Sequence, residues 1–178
     1  LQKEKPNIII NLAAESHVDN SIKSKKKFLD TNIMGVDSLF EACKNNLDLE
    51  KIKIIHFSTD EVYGSIPNGK ISNENNPFKP SSFYSSSKSA GESLAYTYLK
   101  FYSFPVFILN PCNIYGPFQH SEKFIPKIIL NSILKKNIPL YGNGNQKRQW
   151  LYVDNLIKYI ERTLFKSNKF GKYNISSN

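Results

Sequence analysis

Short apolar runs alternate with longer amphipathic stretches along this whole sequence, and that rhythm restricts the fold more than any other feature. An apolar run of four to six residues suits a strand buried on both faces. A stretch with apolar residues three and four apart makes a helix that covers such a sheet. Strands are expected at 7–13, 53–58, 105–110 and 172–175, with a short extended piece at 149–152. Helical spacing covers 28–45, where Phe28, Leu29, Ile33, Val36, Leu39, Phe40 and Cys43 share a face. Further helices are expected at 84–101, 123–136 and 153–165. A polar loop with three prolines fills 65–83. Alternation of this kind builds a parallel sheet. The expected class is α/β, a doubly wound parallel sheet of which only part is present.

Composition removes several alternatives. The chain has 178 residues, 40% of them hydrophobic, which is enough for a real core. Its longest apolar runs are strand-sized, so no membrane span is expected, and the charged opening Leu1-Gln2-Lys3-Glu4-Lys5-Pro6 is not a signal peptide. Cys43 and Cys112 have neither a disulfide nor a metal spacing and read as reduced residues of a cytoplasmic protein. The net charge of +9 comes from scattered lysines, apart from Lys23-Ser24-Lys25-Lys26-Lys27. With no aromatics interleaved among them for base stacking, an anionic small molecule is a better partner than nucleic acid.

Five clusters carry chemistry. In Tyr84-Ser85-Ser86-Ser87-Lys88, positions four apart share a helix face. An ammonium beside a phenol lowers its pKa, so the pair is a candidate base for a hydroxyl proton. Ser58-Thr59-Asp60-Glu61-Val62-Tyr63-Gly64 follows an apolar strand, where open α/β sheets place their ligands. Two adjacent carboxyls there serve as acid and base if their surroundings separate their pKa values; otherwise they are loop or capping acids. In Asn11-Leu12-Ala13-Ala14-Glu15-Ser16-His17-Val18-Asp19, small residues at a strand end let a flat ring approach. Asn113-Ile114-Tyr115-Gly116-Pro117, with Lys123 and Phe124 beyond it, follows another strand. Arg148-Gln149-Trp150 adds a guanidinium suited to a diphosphate. His56, inside a strand, reads as structural.

In this order and spacing the clusters resemble the extended short-chain dehydrogenase/reductase family of NAD-dependent epimerases and dehydratases. The Thr59-Asp60-Glu61 triplet is similar to that of its 4,6-dehydratases acting on dTDP-glucose. The resemblance implies a lyase that converts a nucleotide-linked hexose to the 4-keto-6-deoxy sugar through transient hydride transfer to NAD. It implies Tyr84 and Lys88 at the hydroxyl, Glu61 as base, Asp60 as acid and Thr59 on the C4 oxygen. Leu12, Ala13, Ala14, Thr31 and Ser58 would line the cofactor together with Tyr84 and Lys88. Ser16, His17, Asn113, Lys123, Phe124, Pro139, Leu140, Tyr141 and Arg148 would meet the nucleotide sugar, and no metal is implied. A 4-epimerase or decarboxylase would use Tyr84 and Lys88 without needing the two carboxyls. A non-catalytic sugar-nucleotide-binding or nucleic-acid-binding protein would need neither the intact Tyr84/Lys88 pair nor the full Thr59-Asp60-Glu61 triplet.

The family pattern divides the chain at 112. Residues 1–112 would be the C-terminal part of a Rossmann-like NAD-binding domain. Residues 113–178 would be a mixed segment of substrate loops and returning sheet elements, the start of a smaller C-terminal substrate-binding region. No Gly-rich strand-to-helix turn is present, and Gly142-Asn143-Gly144 is a turn rather than a phosphate cradle. The pyrophosphate loop is therefore expected upstream of Leu1, the sequence is read as a fragment, and a homodimer is expected of the full-length protein.

Overall fold

A computed structural model describes residues 1–67, 70–140 and 143–177. Tyr141 and Gly142, both named above, lie outside them. Four parallel strands form the main sheet in the order β1-β2-β3-β6: β1 Ile8–Asn11, β2 Lys53–Phe57, β3 Val106–Pro111 and β6 Gly171–Ile175. The register pairs Ile10 with Ile55 and Phe57 with Leu109, and it pairs Asn110 with Asn174. Successive strand side chains point to opposite faces, and both faces are covered. Ile54, Val106 and Ile108 pack under Val36, Phe40, Cys43, Ala95 and Tyr98. Ile55, Phe57, Phe107 and Leu109 pack under Leu156, Ile160 and Leu164. The expected doubly wound sheet is what forms.

The helices on the first face are α3 (Gly35–Asn46) and α4 (Phe83–Tyr102), and α6 (Val153–Lys166) covers the second. Two short helices, α1 (Val18–Lys23) and α2 (Lys25–Leu29), follow β1, and α5 (Phe124–Ile133) precedes β5 (Trp150–Tyr152). β5 pairs in parallel with β4 (Asn113–Tyr115) in a separate two-stranded sheet. Among the described residues no helix is long and apolar enough to cross a membrane.

Three expectations change. The single helix at 28–45 is α2 and α3 joined by a π-helical turn, Asp30–Met34. The wider turn carries Asn32 to a buried position, where its side chain bonds the backbone N–H and C=O of Glu15 and the Ser87 hydroxyl. Those three bonds stabilise a turn that packing alone would disfavour. Gly91 of α4 is the counterpart, since a Cβ there would sit 2.2 Å from the Asn32 carbonyl oxygen. The strand expected to reach Ala13 ends at Asn11, after its last pairing with His56. The helix expected over 123–136 stops at Ile133, and Lys135 adopts a φ of 50°.

Candidate active site

The C-terminal ends of β1, β2 and β3 face one side, and the candidate groups collect there. After β2 ends at Phe57, Thr59 stays extended and starts a 3-10 turn, Asp60–Tyr63. Its Oγ1 accepts the Glu61 N–H at 3.3 Å, which puts Asp60 and Glu61 side by side in the first turn. Gly64 closes the turn with a φ of 71°, and a Cβ there would sit 2.1 Å from the Lys79 carbonyl oxygen. Any other residue would push the 65–83 loop off the site.

Helix α4 begins with a capping box: Ser82 Oγ accepts the Ser85 N–H and Ser85 Oγ accepts the Ser82 N–H, each at 3.0 Å. This fixes Tyr84 in the first turn, half-buried, with Lys88 buried one turn later. Lys88 Nζ donates to the Phe57 carbonyl at 2.5 Å, tying the helix to the end of β2.

Electrostatics separate the groups. Burial and neighbouring Glu61 push the Asp60 carboxyl up to about 6, against a hydrogen bond from Thr59 and the charge of Arg148. Burial also raises Glu61, but Arg148 and Lys123 both pull it back. Burial thus raises both acids, and they differ in their surroundings: Glu61 adds to the rise of Asp60, while Arg148 and Lys123 both oppose the rise of Glu61. The expectation for Tyr84 is corrected. Burial and then Glu61 raise its phenol well above the usual range, and the hydrogen bond from Thr59 opposes them. The lowering expected from Lys88 is not realised: that ammonium donates to the Phe57 carbonyl and is not among the groups that shift the phenol. Burial lowers Lys88 to about 8, with Glu92 acting the other way.

The β1 edge presents Leu12, 64% exposed, and exposed Ala13, with Ala14 and Thr31 half-buried behind them. Ser58 is buried and donates to Glu92 at 2.5 Å. On the far side, Lys123 Nζ reaches the Ser16 hydroxyl at 3.3 Å and its carbonyl at 3.4 Å, joining two sequence-distant candidates. His17, Phe124 and Pro139 line a cavity of about 230 Å³, and Glu122 lies 3.7 Å from the His17 ring. Phe124 stacks on Trp150, ring centres 5.8 Å apart. Asn113 is half-buried in β4, Arg148 is exposed, and Leu140 lies exposed outside the cavity. His56 is structural as expected, fully buried and lowered to about 3 by burial and Lys88. Its Nδ1 lies 3.1 Å from the Asn11 amide.

Sequence reasoning missed Asn32, Glu92 and Lys172 and gave Asn110 no role. A signal existed for two of them: Asn32 lies between Phe28 and Val36 on the apolar face, and Glu92 follows Tyr84 and Lys88 at the same four-residue spacing. Asn110 and Lys172 act through strand register, which sequence does not print. Among the described residues no group of His, Cys, Asp and Glu could hold a metal ion.

Comparison with known proteins places this geometry. The family model described as GDP-mannose 4,6 dehydratase matches residues 1–178. The dTDP-glucose 4,6-dehydratase of Haemophilus influenzae is 41% identical over 99% of this chain and 54% of its own length. The crystal structure of DesIV, a dTDP-glucose 4,6-dehydratase from Streptomyces venezuelae with NAD and TYD bound, superposes with a TM-score of 0.88. It is 37% identical and is matched over 95% of this chain and 51% of its own. A UDP-glucuronic acid 4-epimerase from Bacillus cereus, in complex with UDP-glucuronic acid and NAD, gives 0.87 at 32% identity, over 97% of this chain and 54% of its own. The chain spans about half the length of the curated relatives it matches.

Proposed function

Since this chain belongs to the GDP-mannose 4,6 dehydratase family, we propose that it carries the proton-transfer machinery of an NAD-dependent lyase that dehydrates dTDP-glucose to its 4-keto-6-deoxy sugar. The observation that carries the reading is the pair Asp60 and Glu61, capped by Thr59 at the end of β2. A 4-epimerase needs no second and third proton-transfer group there. At 4-epimerase-like sites the pair would be surplus, which ranks that reading second.

Tyr84 would take the C4 hydroxyl proton once a bound cationic nicotinamide offset the upward push of burial and Glu61 on its phenol, and Thr59 donates to the same oxygen. Glu61, raised by burial but pulled back toward its carboxylate form by Arg148 and Lys123, removes the C5 proton that the 4-ketone acidifies. Asp60, pushed up to about 6, supplies the proton with which the C6 hydroxyl leaves as water. A bound NAD would supply a reversible hydride acceptor between C4 and C6, and Glu61 would return its proton to C5, so there would be no net redox change. The chain offers it a fitting edge: uncovered Leu12 and Ala13 beside Ala14 and Thr31, and the Ser58, Tyr84 and Lys88 side chains across from them. A positively charged ring there would also oppose the upward shift of Tyr84. Ser16, His17, Asn113, Lys123, Phe124, Pro139, Leu140, Tyr141 and Arg148 are the proposed nucleotide-sugar contacts.

Residues 1–112 are assigned to the NAD-binding domain and 113–178 to the mixed segment that begins the substrate side. Free, buried Cys43 and Cys112 support a cytoplasmic location. A homodimer of the full-length protein, paired through the 28–45 segment and α4, is consistent with exposed Met34, Phe101 and Tyr102. The test is product analysis of the full-length protein with dTDP-glucose and NAD. A 4-keto-6-deoxy product supports the reading, and dTDP-galactose would overturn it.

A further inference from the structure

Glu92 has no part in the proton steps above, yet its carboxyl group is fully buried behind the strand ends that carry Ser58 and Asn110. Its Oε2 accepts the Ser58 hydroxyl at 2.5 Å and the Asn110 amide at 2.6 Å. Its Oε1 lies 3.5 Å from Lys172 Nζ. Asn110 in turn donates to the Thr59 carbonyl at 3.2 Å. The ends of β2 and β3, a residue of β6 and helix α4 therefore meet on one carboxyl group. Stability does not account for it, because well-packed apolar residues in place of a buried ion pair are often neutral or stabilising.

We propose that Glu92 is a positioning residue: as a buried anion it keeps Lys88, one turn earlier on α4, in its ammonium form and holds the Ser58–Thr59 strand end against that helix. The inference rests on the proposed lyase only for the use it gives Lys88. Burial lowers Lys88 to about 8 and Glu92 opposes the drop; burial also raises the Glu92 carboxyl, and the bonds from Ser58 and Asn110 with the charge of Lys172 favour its anion against that rise. Lys172 is fixed for its part by the faces of Phe78 and Tyr63, at 4.8 Å and 5.4 Å. The charged and titratable groups around Glu92 are Lys88 on α4, Lys172 on β6 and Tyr63 in the 3-10 turn, with Glu74 and Asp60 acting on Tyr63 from beyond.

The test is an NMR titration of isotope-labelled lysine in this chain. Glu92→Gln keeps the shape and removes the charge, so the Lys88 midpoint should fall by about one unit. Glu92→Asp should restore most of that fall. In the full-length enzyme with NAD, the alkaline limb of kcat should move to lower pH by the same amount, with KM little changed. An unmoved Lys88 midpoint in folded Glu92→Gln overturns the proposal. If that variant does not fold, the carboxyl carbon of Glu92 in the unsubstituted chain decides: an ionised signal at neutral pH supports the proposal, and a protonated one overturns it. Failure of the lyase assignment alone would leave the Lys88 shift in place.

Discussion

The two sides of the site are built differently. The β2–α4 side is part of the core: Ser58, Thr59, Ser85, Ser87, Lys88 and Glu92 are all buried, and bonds to Phe57, Asn32 and Asn110 hold them. The 113–150 side is the reverse. Helix α5 has no buried residue, and Phe124, Ile129 and Ile133 are largely exposed. The half-buried groups that move protons, Asp60, Glu61 and Tyr84, thus stand on a frame fixed by folding itself, while groups that would recognise a sugar nucleotide stand on a surface with little packing beneath it. Preorganisation matters most where charge develops, and a binding wall can close on its ligand.

The contrast can be broken first at Glu61. Glu61→Gln in the full-length enzyme should lower turnover by about a thousandfold while C4 hydrogen exchange persists. Unchanged turnover would remove Glu61 from the chemistry. Gly91→Ala should cost about 3 kcal/mol in urea unfolding, because its methyl meets the Asn32 carbonyl and α4 cannot retreat without losing Lys88. A loss under about 1 kcal/mol would show that the core side yields as readily as the other.

Asp60 sharpens the comparison through pH. Its folded pKa of about 6 lies above the ordinary 3.8, so the folded state binds the proton more tightly than the unfolded one. Stability from this group is then present at low pH and is lost as pH rises from about 4 to about 6. Asp60→Asn should therefore be more stable than the parent by about 3 kcal/mol at neutral pH, and the advantage should vanish below about pH 4, as urea midpoints at both pH values would show. The smallest effect belongs to the open side: Phe124→Ala should raise KM by about tenfold with kcat nearly unchanged and barely move Tm, since the ring packs mainly on Trp150. A large fall in kcat instead would mean that this wall also orders the chemistry.

Much of this was legible in the sequence. The apolar runs at 53–58 and 105–110 became the central strands, and Tyr84, Lys88 and the 59–61 triplet came together where the alternation put them. What stayed hidden depends on long-range register or on local departures from the regular helix. Asn110 matters because β3 lies beside β2, and Lys172 because β6 lies beside β3. Neither pairing is a property of its own segment. The lowered phenol pKa failed for a related reason: four-residue spacing puts Lys88 near Tyr84 but does not say which acceptor the ammonium will choose.

The π-helical turn at Asp30–Met34 sets a phase as well as a shape. Each residue of an ordinary helix advances the side-chain direction by about 100°. The extra residue absorbs that angle, so that Phe28 before it and Val36 and Phe40 after it are all buried while Asn32 faces Ser87. Deleting any one residue of the turn would rotate one half of the helix against the other by about that angle. The segment therefore tolerates substitution far better than a change of length, and its residue count is as much a part of the site as its chemistry.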